Sequence, residues 1–144
     1  MIVYKSGNLF CSKAEAYAHG CNTIGKMNAG IARKFKDKYP EMYKDYKEKC
    51  RKSLFLPGQG YIYYNINPPH VINLATQGHQ LAEINYVESA LHWLKNHYRE
   101  IGINSVALLK IASGLGGLDW RIAKEMIEKE FNDSDLIVEI WSLN

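Results

Sequence analysis

The sequence predicts one α/β domain with three layers, in which helices cover both faces of a central β-sheet. Segments of strand-like composition alternate with segments whose apolar residues recur every three or four positions. One strand-like segment, residues 106–111, is almost continuously apolar, which is typical of a strand covered on both faces. The length of 144 residues fits a single domain over residues 1–144.

Strands and helices follow in order from this periodicity. The strands are predicted at residues 2–5, 16–20, 61–66, 70–74, 106–111 and 136–141. The helices are predicted at residues 31–39, 41–52, 84–98 and 120–131. Pro40 ends the first helix and suits the first turn of the second. In the last helix, we expect Ile122, Met126, Ile127 and Phe131 to face the core.

Composition predicts a cytoplasmic monomer that does not cross a membrane. The N-terminus enters a strand directly, without a basic and apolar signal segment, and no window approaches the roughly 18 apolar residues of a membrane span. Cys11, Cys21 and Cys50 are odd in number and widely spaced, which fits reduced thiols. Since no paired Cys-x-x-Cys or His-x-x-x-His spacing occurs, a zinc site is not expected. We predict no metal site and no cofactor.

Positive charge is concentrated in one segment. Residues 33–52 contain nine Lys and Arg against four Asp and Glu, so this segment carries +5 and the rest of the chain −2, within a net charge of +3. A basic face of this kind favours an anionic partner. The alternative is that these side chains form only the solvated surface of helices.

Two glycine-rich loops follow strands of the predicted sheet. The first covers residues 19–30 and the second residues 113–119, and each leads into a helix. In open α/β sheets, ligands bind at the carboxyl ends of the strands, where glycine lets backbone N–H groups approach an anion. Two such loops suit a diphosphate. Neither matches a P-loop or a complete G-x-G-x-x-G motif, and either one alone would also serve as a tight strand-to-helix turn.

Four sequence blocks, in order along nearly the whole chain, carry a resemblance to a known family. They are residues 19–22 with 27–32, 39–40, 72–76, and 113–120. Together they resemble the macro domain, and more closely the class that includes the terminal ADP-ribose protein glycohydrolase, the DarG antitoxins and the yeast ADP-ribose 1″-phosphate phosphatase. The resemblance implies a three-layer α/β/α fold with a central mixed sheet and a cleft for ADP-ribose.

The resemblance also implies which residues bind this ligand. Residues 25–31 would lie against the distal ribose and diphosphate, and residues 113–118 would wrap the diphosphate from the other side. Asn8 would accept a hydrogen bond from the adenine amino group, whereas Trp141 would either lie near the adenine or belong to the core. The full set of expected ligand-binding residues is Asn8, Leu9, Asn22, Gly25, Met27, Asn28, Ala29, Gly30, Ile31, Thr76, Gln77, Ser113, Gly114, Leu115, Gly116, Gly117, Leu118 and Trp141.

The sequence departs from these hydrolases at two positions. The lysine that attacks the distal ribose in the glycohydrolases corresponds here to Gln77, and a carboxamide is not a basic nucleophile. The catalytic Asp in the second loop of the terminal glycohydrolase corresponds to Gly116.

Three residues therefore remain as catalytic candidates, namely His19, Asn22 and Asp119. His19 matches a histidine implicated in the yeast phosphatase and has a pKa, about 6.5, that suits proton transfer. Its alternative is a partly buried histidine bonded to backbone. Asn22 would orient the distal ribose or its phosphate. Asp119 would either transfer the proton or serve only as the N-cap of the helix that begins at Trp120.

The function that these residues predict is hydrolysis of an ADP-ribose derivative by water attack without a lysine nucleophile. The substrate would be ADP-ribose 1″-phosphate or an ADP-ribosyl link on protein or nucleic acid. Because the lysine and the loop Asp are absent, a reader that binds ADP-ribose without turnover is the alternative. A nucleic-acid-binding protein that uses residues 33–52 is a third reading, although clustered exposed aromatic residues are lacking.

Overall fold

The computed structural model describes residues 1–110 and 118–142. Within these residues, six strands form one sheet: β1 Ile2–Ser6, β2 Ala16–Cys21, β3 Gly60–Tyr63, β4 His70–Ala75, β5 Ser105–Leu109 and β6 Ile137–Ser142. Four α-helices connect them: α1 Gly30–Lys38, α2 Pro40–Arg51, α3 Ile84–His97 and α4 Trp120–Phe131. A short 3-10 helix covers Leu9–Cys11. The predicted order of strands and helices is thereby confirmed, with ends that shift by a few residues.

The sheet is mixed, with the order β1-β6-β5-β2-β4-β3. β3 is antiparallel to β4, and every other pair of neighbours is parallel. Because the parallel strands all end at the same edge, the segments that follow β1, β2, β4 and β5 gather on one side of the molecule. That edge is where the sequence predicts the ligand.

Two helices cover each face of the sheet, which confirms the three-layer prediction. One face packs against α3 and α4, and the other packs against α1 and α2. β2 shows the alternation: Ala16 and Ala18 contact the first layer, whereas Tyr17 and Cys21 contact the second. All six residues of β2 are buried, because this parallel strand lies between two others under both helical layers.

The structure corrects two local predictions. β3 ends at Tyr63 and not at residue 66. In the connection to β4, the N–H of Asn65 donates to Nδ1 of His70 and its side-chain amide donates to the Pro69 carbonyl, so this residue does not continue the strand. Ile122 is 39% exposed and does not face the core. α4 instead buries Ala123, Ile127 and Phe131, which are spaced by four residues on one helical stripe. In the described residues, no helix has the length and apolar character needed to span a membrane.

Candidate functional site

Two cavities open at the carboxyl edge of the sheet, on either side of the start of α1. The Asn22 cavity, of about 220 Å³, is lined by Gly20, Cys21, Asn22, Ile24, Lys26, Met27, Asn28, Ala29, Ala32 and Gln77. The Asn8 cavity, of about 160 Å³, is lined by Asn8, Leu9, Phe10, Gly30, Ile31, Lys34 and Leu109. The segment from residue 27 to residue 31 therefore contributes to both cavities and separates them.

Helix α1 begins at this boundary without a side-chain cap. Its N-cap residue, Ala29, has no side chain that could accept a hydrogen bond from the first turn. Gly30 has φ of +58°, a left-handed conformation that favours glycine. The N–H groups of the first turn and the positive end of the helix dipole are thus available to an anion between the two cavities.

Asn22 shapes the loop that forms one wall of its cavity. Its Oδ1 accepts hydrogen bonds from the N–H of Ile24, at 3.1 Å, and of Lys26, at 3.4 Å. Its Nδ2 donates to the Lys26 carbonyl at 2.8 Å, which leaves the second hydrogen of this amide for a ligand. The side chain therefore fixes the loop and still faces the cavity.

Two tyrosines of α2 hold this loop from below. The Tyr46 hydroxyl bonds to Oδ1 of Asn22 and lies 3.0 Å from the Asn22 carbonyl, and Tyr43 donates to the Gly25 carbonyl at 3.0 Å. Burial raises the pKa of Tyr46 well above its usual value, so its hydroxyl stays protonated. In the sequence, the three-residue spacing of the two tyrosines shows only that they share one face of α2. The loop atoms that they contact become known only from the fold.

The β4 end completes the Asn22 cavity. Gln77 lines it, and its N–H donates to the Cys21 carbonyl at 3.3 Å, which joins the loops that follow β4 and β2. Thr76 is buried and lines neither cavity, and its carbonyl accepts a hydrogen bond from the N–H of Glu83. The structure thus brings Asn22 and Gln77 together at one cavity, whereas Thr76 does not line it.

The Asn8 cavity contains the residues expected near adenine, except for Trp141. Oδ1 of Asn8 accepts from the N–H of Phe10 at 3.0 Å and retains a second lone pair for a ligand. Trp141 is 9% exposed, packs in the core, and donates its indole N–H to Glu139 at 2.9 Å. It is not one of the described residues that line the cavity, so its placement matches the core alternative.

His19 does not reach either cavity. Only 2% of the residue is exposed, its ring stacks on Phe35 with 4.0 Å between centroids, and Nε2 lies 2.6 Å from Oδ1 of Asn73. Desolvation lowers the pKa of His19 to about 4, so the ring is neutral at pH 7. The expectation that His19 opens onto the cleft is therefore corrected. The histidine is a buried core residue, and its hydrogen-bond partner is the side chain of Asn73 and not the backbone.

Asp119 has the N-cap geometry of α4. Its carboxylate accepts from the N–H of Arg121 at 2.9 Å and contacts the Arg121 guanidinium at 3.0 Å. These hydrogen bonds from Arg121 hold the pKa of Asp119 below its usual value. An ionised capping carboxylate is a poor proton donor, and Asp119 lines neither described cavity.

Five expected ligand-binding residues, Ser113, Gly114, Leu115, Gly116 and Gly117, lie outside the described residues. Leu118 is partly buried against the core. Gly25 has φ of +81° and lines neither the Asn8 cavity nor the Asn22 cavity. In the described ranges, no group of three or more His, Cys, Asp or Glu residues could hold a metal ion.

Residues 18–127 match the family described as the macro domain. The chain belongs to the macro domain family. It is 33% identical over 146 residues to the DNA ADP-ribosyl glycohydrolase of Mycobacterium tuberculosis, which covers 96% of this chain and 42% of that protein. The predicted resemblance is thereby confirmed.

Solved structures of similar macro domains share the whole fold. The macrodomain of Mycobacterium tuberculosis DarG aligns with a TM-score of 0.91 at 31% identity, over 99% of this chain and 97% of that one. Thermosipho africanus DarTG, solved in complex with ADP-ribose, aligns with a TM-score of 0.90 at 25% identity, over 97% of this chain and 41% of that one. The chain spans about two fifths of the length of the first curated relatives that it matches.

Proposed function

We propose that the chain binds ADP-ribose across the Asn8 and Asn22 cavities, with the diphosphate at the start of α1. The uncapped first turn of α1 between the two cavities carries this proposal. Its N–H groups and helix dipole suit phosphate oxygens. Phe10 and Ile31 are partly exposed and offer apolar surface to adenine. The amide of Gln77, beside that of Asn22, suits ribose hydroxyls.

We further propose that the bound molecule is an ADP-ribosylated nucleic acid, and that the chain hydrolyses its ADP-ribosyl link. Support comes from the Mycobacterium tuberculosis relative, which is named a DNA ADP-ribosyl glycohydrolase. Such relatives favour hydrolysis over the reader alternative. An ADP-ribosyl link on protein and ADP-ribose 1″-phosphate are the other substrates that the same cleft would accept.

Water is the proposed nucleophile, since Gln77 replaces the lysine. A new bond forms between the water oxygen and the anomeric carbon of the distal ribose, and the attacking water releases one proton to solvent. The bond to the nucleic acid breaks, and the leaving group keeps the electron pair and receives a proton through solvent. Nδ2 of Asn22 and the Gln77 carboxamide orient the ribose and the water. Among the described residues that line this cavity, Lys26 is the one with a charged side chain. Its ammonium group would stabilise the phosphates of the bound substrate.

Titration calorimetry with ADP-ribose, followed by turnover assays, tests the proposal. We expect one site per chain and release of ADP-ribose from an ADP-ribosylated oligonucleotide, with no adduct trapped by borohydride. Parallel assays with ADP-ribosylated protein and with ADP-ribose 1″-phosphate identify the alternative substrates. If the chain binds ADP-ribose but turns over none of the three substrates, it is a reader. A folded sample that fails to bind millimolar ADP-ribose would contradict the whole proposal. The cytoplasmic compartment and the monomeric state stay predictions.

A further inference from the structure

A third cavity, the Lys47 groove, lies on the other side of the Asn22 loop. It has a volume of about 700 Å³ and is bounded by α2, by the segment 53–57 and by the loop 23–25. Ile24 contributes to both this groove and the Asn22 cavity, so the loop is a thin partition between them. A polymer attached to a ribose in the Asn22 cavity would therefore meet the groove as it leaves the cleft.

One wall of the groove is a positively charged stripe on α2. Lys44, Lys47 and Arg51 line it at spacings of three and four residues, which places them on one helical face over a length of about 10 Å. Two of these three side chains already form ion pairs: Lys44 pairs with Glu41 at 3.2 Å, and Arg51 pairs with Glu48. Among the residues that the structure describes, no ion pair engages Lys47. Lys47 therefore keeps its positive charge for an anion, and the ion pairs of Lys44 and Arg51 are exposed and weak.

The floor of the groove is apolar and accessible. Leu56 is 47% exposed and Ile24 is 36% exposed, and Pro57 and the buried Phe55 lie beside them. A positive wall beside an apolar floor suits a chain that carries phosphates on one side and flat bases on the other. A purely acidic peptide would use the wall and leave the floor uncovered.

We propose that the Lys47 groove binds the single-stranded nucleic acid to which ADP-ribose is attached. Phosphates next to the modified nucleotide contact Lys44, Lys47 and Arg51, and a neighbouring base or sugar covers Leu56. This inference rests on the proposed function, because it takes the strand to enter the groove from the Asn22 cavity.

Two double variants with the same change in charge test the groove. Lys44→Gln with Lys47→Gln removes two positive charges from the stripe. Lys124→Gln with Lys129→Gln removes two from α4, on the opposite face of the sheet. Fluorescence anisotropy with an unmodified single-stranded oligonucleotide measures strand binding without requiring turnover, and calorimetry with ADP-ribose alone measures the cleft.

We expect the α2 variant to weaken strand binding about fivefold or more at low salt, and the slope of log affinity against log salt to fall by about 1.4, as for two lost phosphate contacts. The α4 variant should change strand affinity by less than about twofold, and both variants should keep native ADP-ribose affinity. Leu56→Asp should also weaken strand binding, since it places a carboxylate on the floor.

Three results would overturn the groove proposal. The first is an equal loss of strand affinity in the α2 and α4 variants, and the second is unchanged strand affinity in the α2 variant. The third is displacement of the strand by poly-glutamate at the same charge concentration, which would assign the groove to an acidic peptide. A parallel loss of ADP-ribose affinity in the α2 variant would likewise reject it, because the lysines would then act through the cleft. Failure of native protein to bind ADP-ribose would instead count against the proposed function.

Discussion

His19 and Asn22 lie three residues apart in sequence and belong to two different polar networks. His19 lies inside β2, where Asn73 and Phe35 enclose it, and its network ends at the Tyr61 hydroxyl. Asn22 lies just beyond the end of β2, where its amide fixes a loop beside a cavity. His19 is only 2% exposed, whereas Asn22 lines the cavity and keeps an amide hydrogen for a ligand. Position relative to the strand end, more than residue type, therefore separates a stabilising polar group from one that can act on a ligand.

The largest expected effect concerns the stability that depends on His19. Burial lowers the pKa of His19 to about 4, whereas the unfolded histidine titrates near 6.5. Between these values the unfolded state binds the additional proton, so the free energy of unfolding falls as pH falls, by up to about 3 kcal/mol for this group. Urea unfolding at neutral pH and at the lower end of this window measures the decline.

His19→Gln is the matched control, since its amide can still donate to Asn73. We expect a smaller decline in the free energy of unfolding with pH for this variant, and native ADP-ribose affinity at neutral pH. If native protein and variant lose the same stability over the window, carboxylates alone account for the pH dependence, and the assigned role of His19 fails.

The second effect concerns ADP-ribose affinity at the start of α1. Gly30→Asp places a carboxylate beside the proposed diphosphate, and we expect at least about a 100-fold loss, or about 2.7 kcal/mol. Gly30→Asn has the same shape without the charge and tolerates the left-handed conformation, so it should lose much less. Calorimetry with both variants, beside thermal melts, checks this. Equal losses in the two variants would indicate steric or backbone effects in place of phosphate recognition.

A smaller effect is expected from the tyrosines under the Asn22 loop. Tyr46→Phe removes a buried hydroxyl that contacts Asn22, which should cost about 1 kcal/mol of stability and reduce ADP-ribose affinity several-fold. Tyr43→Phe removes one hydrogen bond to the Gly25 carbonyl and should have a weaker effect on affinity, because Gly25 does not line the Asn22 cavity. Affinities by calorimetry rank the pair, and the reverse ranking would show that the Gly25 end controls the loop.

The smallest effect is expected at Asp119. Asp119→Asn keeps an N-cap residue for α4 and removes only the charge of the carboxylate. The melting temperature should therefore stay close to that of native protein, and kcat should stay within about twofold. Steady-state kinetics with the ADP-ribosylated oligonucleotide provides the measurement. A large drop in kcat with an unchanged melting temperature would restore Asp119 as the proton donor.

The order of strands and helices could be predicted because apolar periodicity is local. The face of α4 could not, since Ile122 and Ala123 both fit an apolar helix and only packing on the sheet selects between them. The glycine-rich segment before α1 was recognisable from sequence, and the structure places its residues around two cavities. The burial of His19 depends on Asn73 and Phe35, which are distant in sequence, so no pattern around His19 reveals it.

The most direct test of the account compares turnover in two variants, Asn22→Ala and His19→Gln. The measurement is kcat/KM for release of ADP-ribose from an ADP-ribosylated oligonucleotide, with folded fractions matched by thermal melts. We predict that Asn22→Ala lowers kcat/KM by about 100-fold or more, since it removes both the loop structure and a ligand contact. His19→Gln should keep it within about threefold, because the ring has no access to the cleft. Loss of turnover in His19→Gln with full activity in Asn22→Ala would contradict the account.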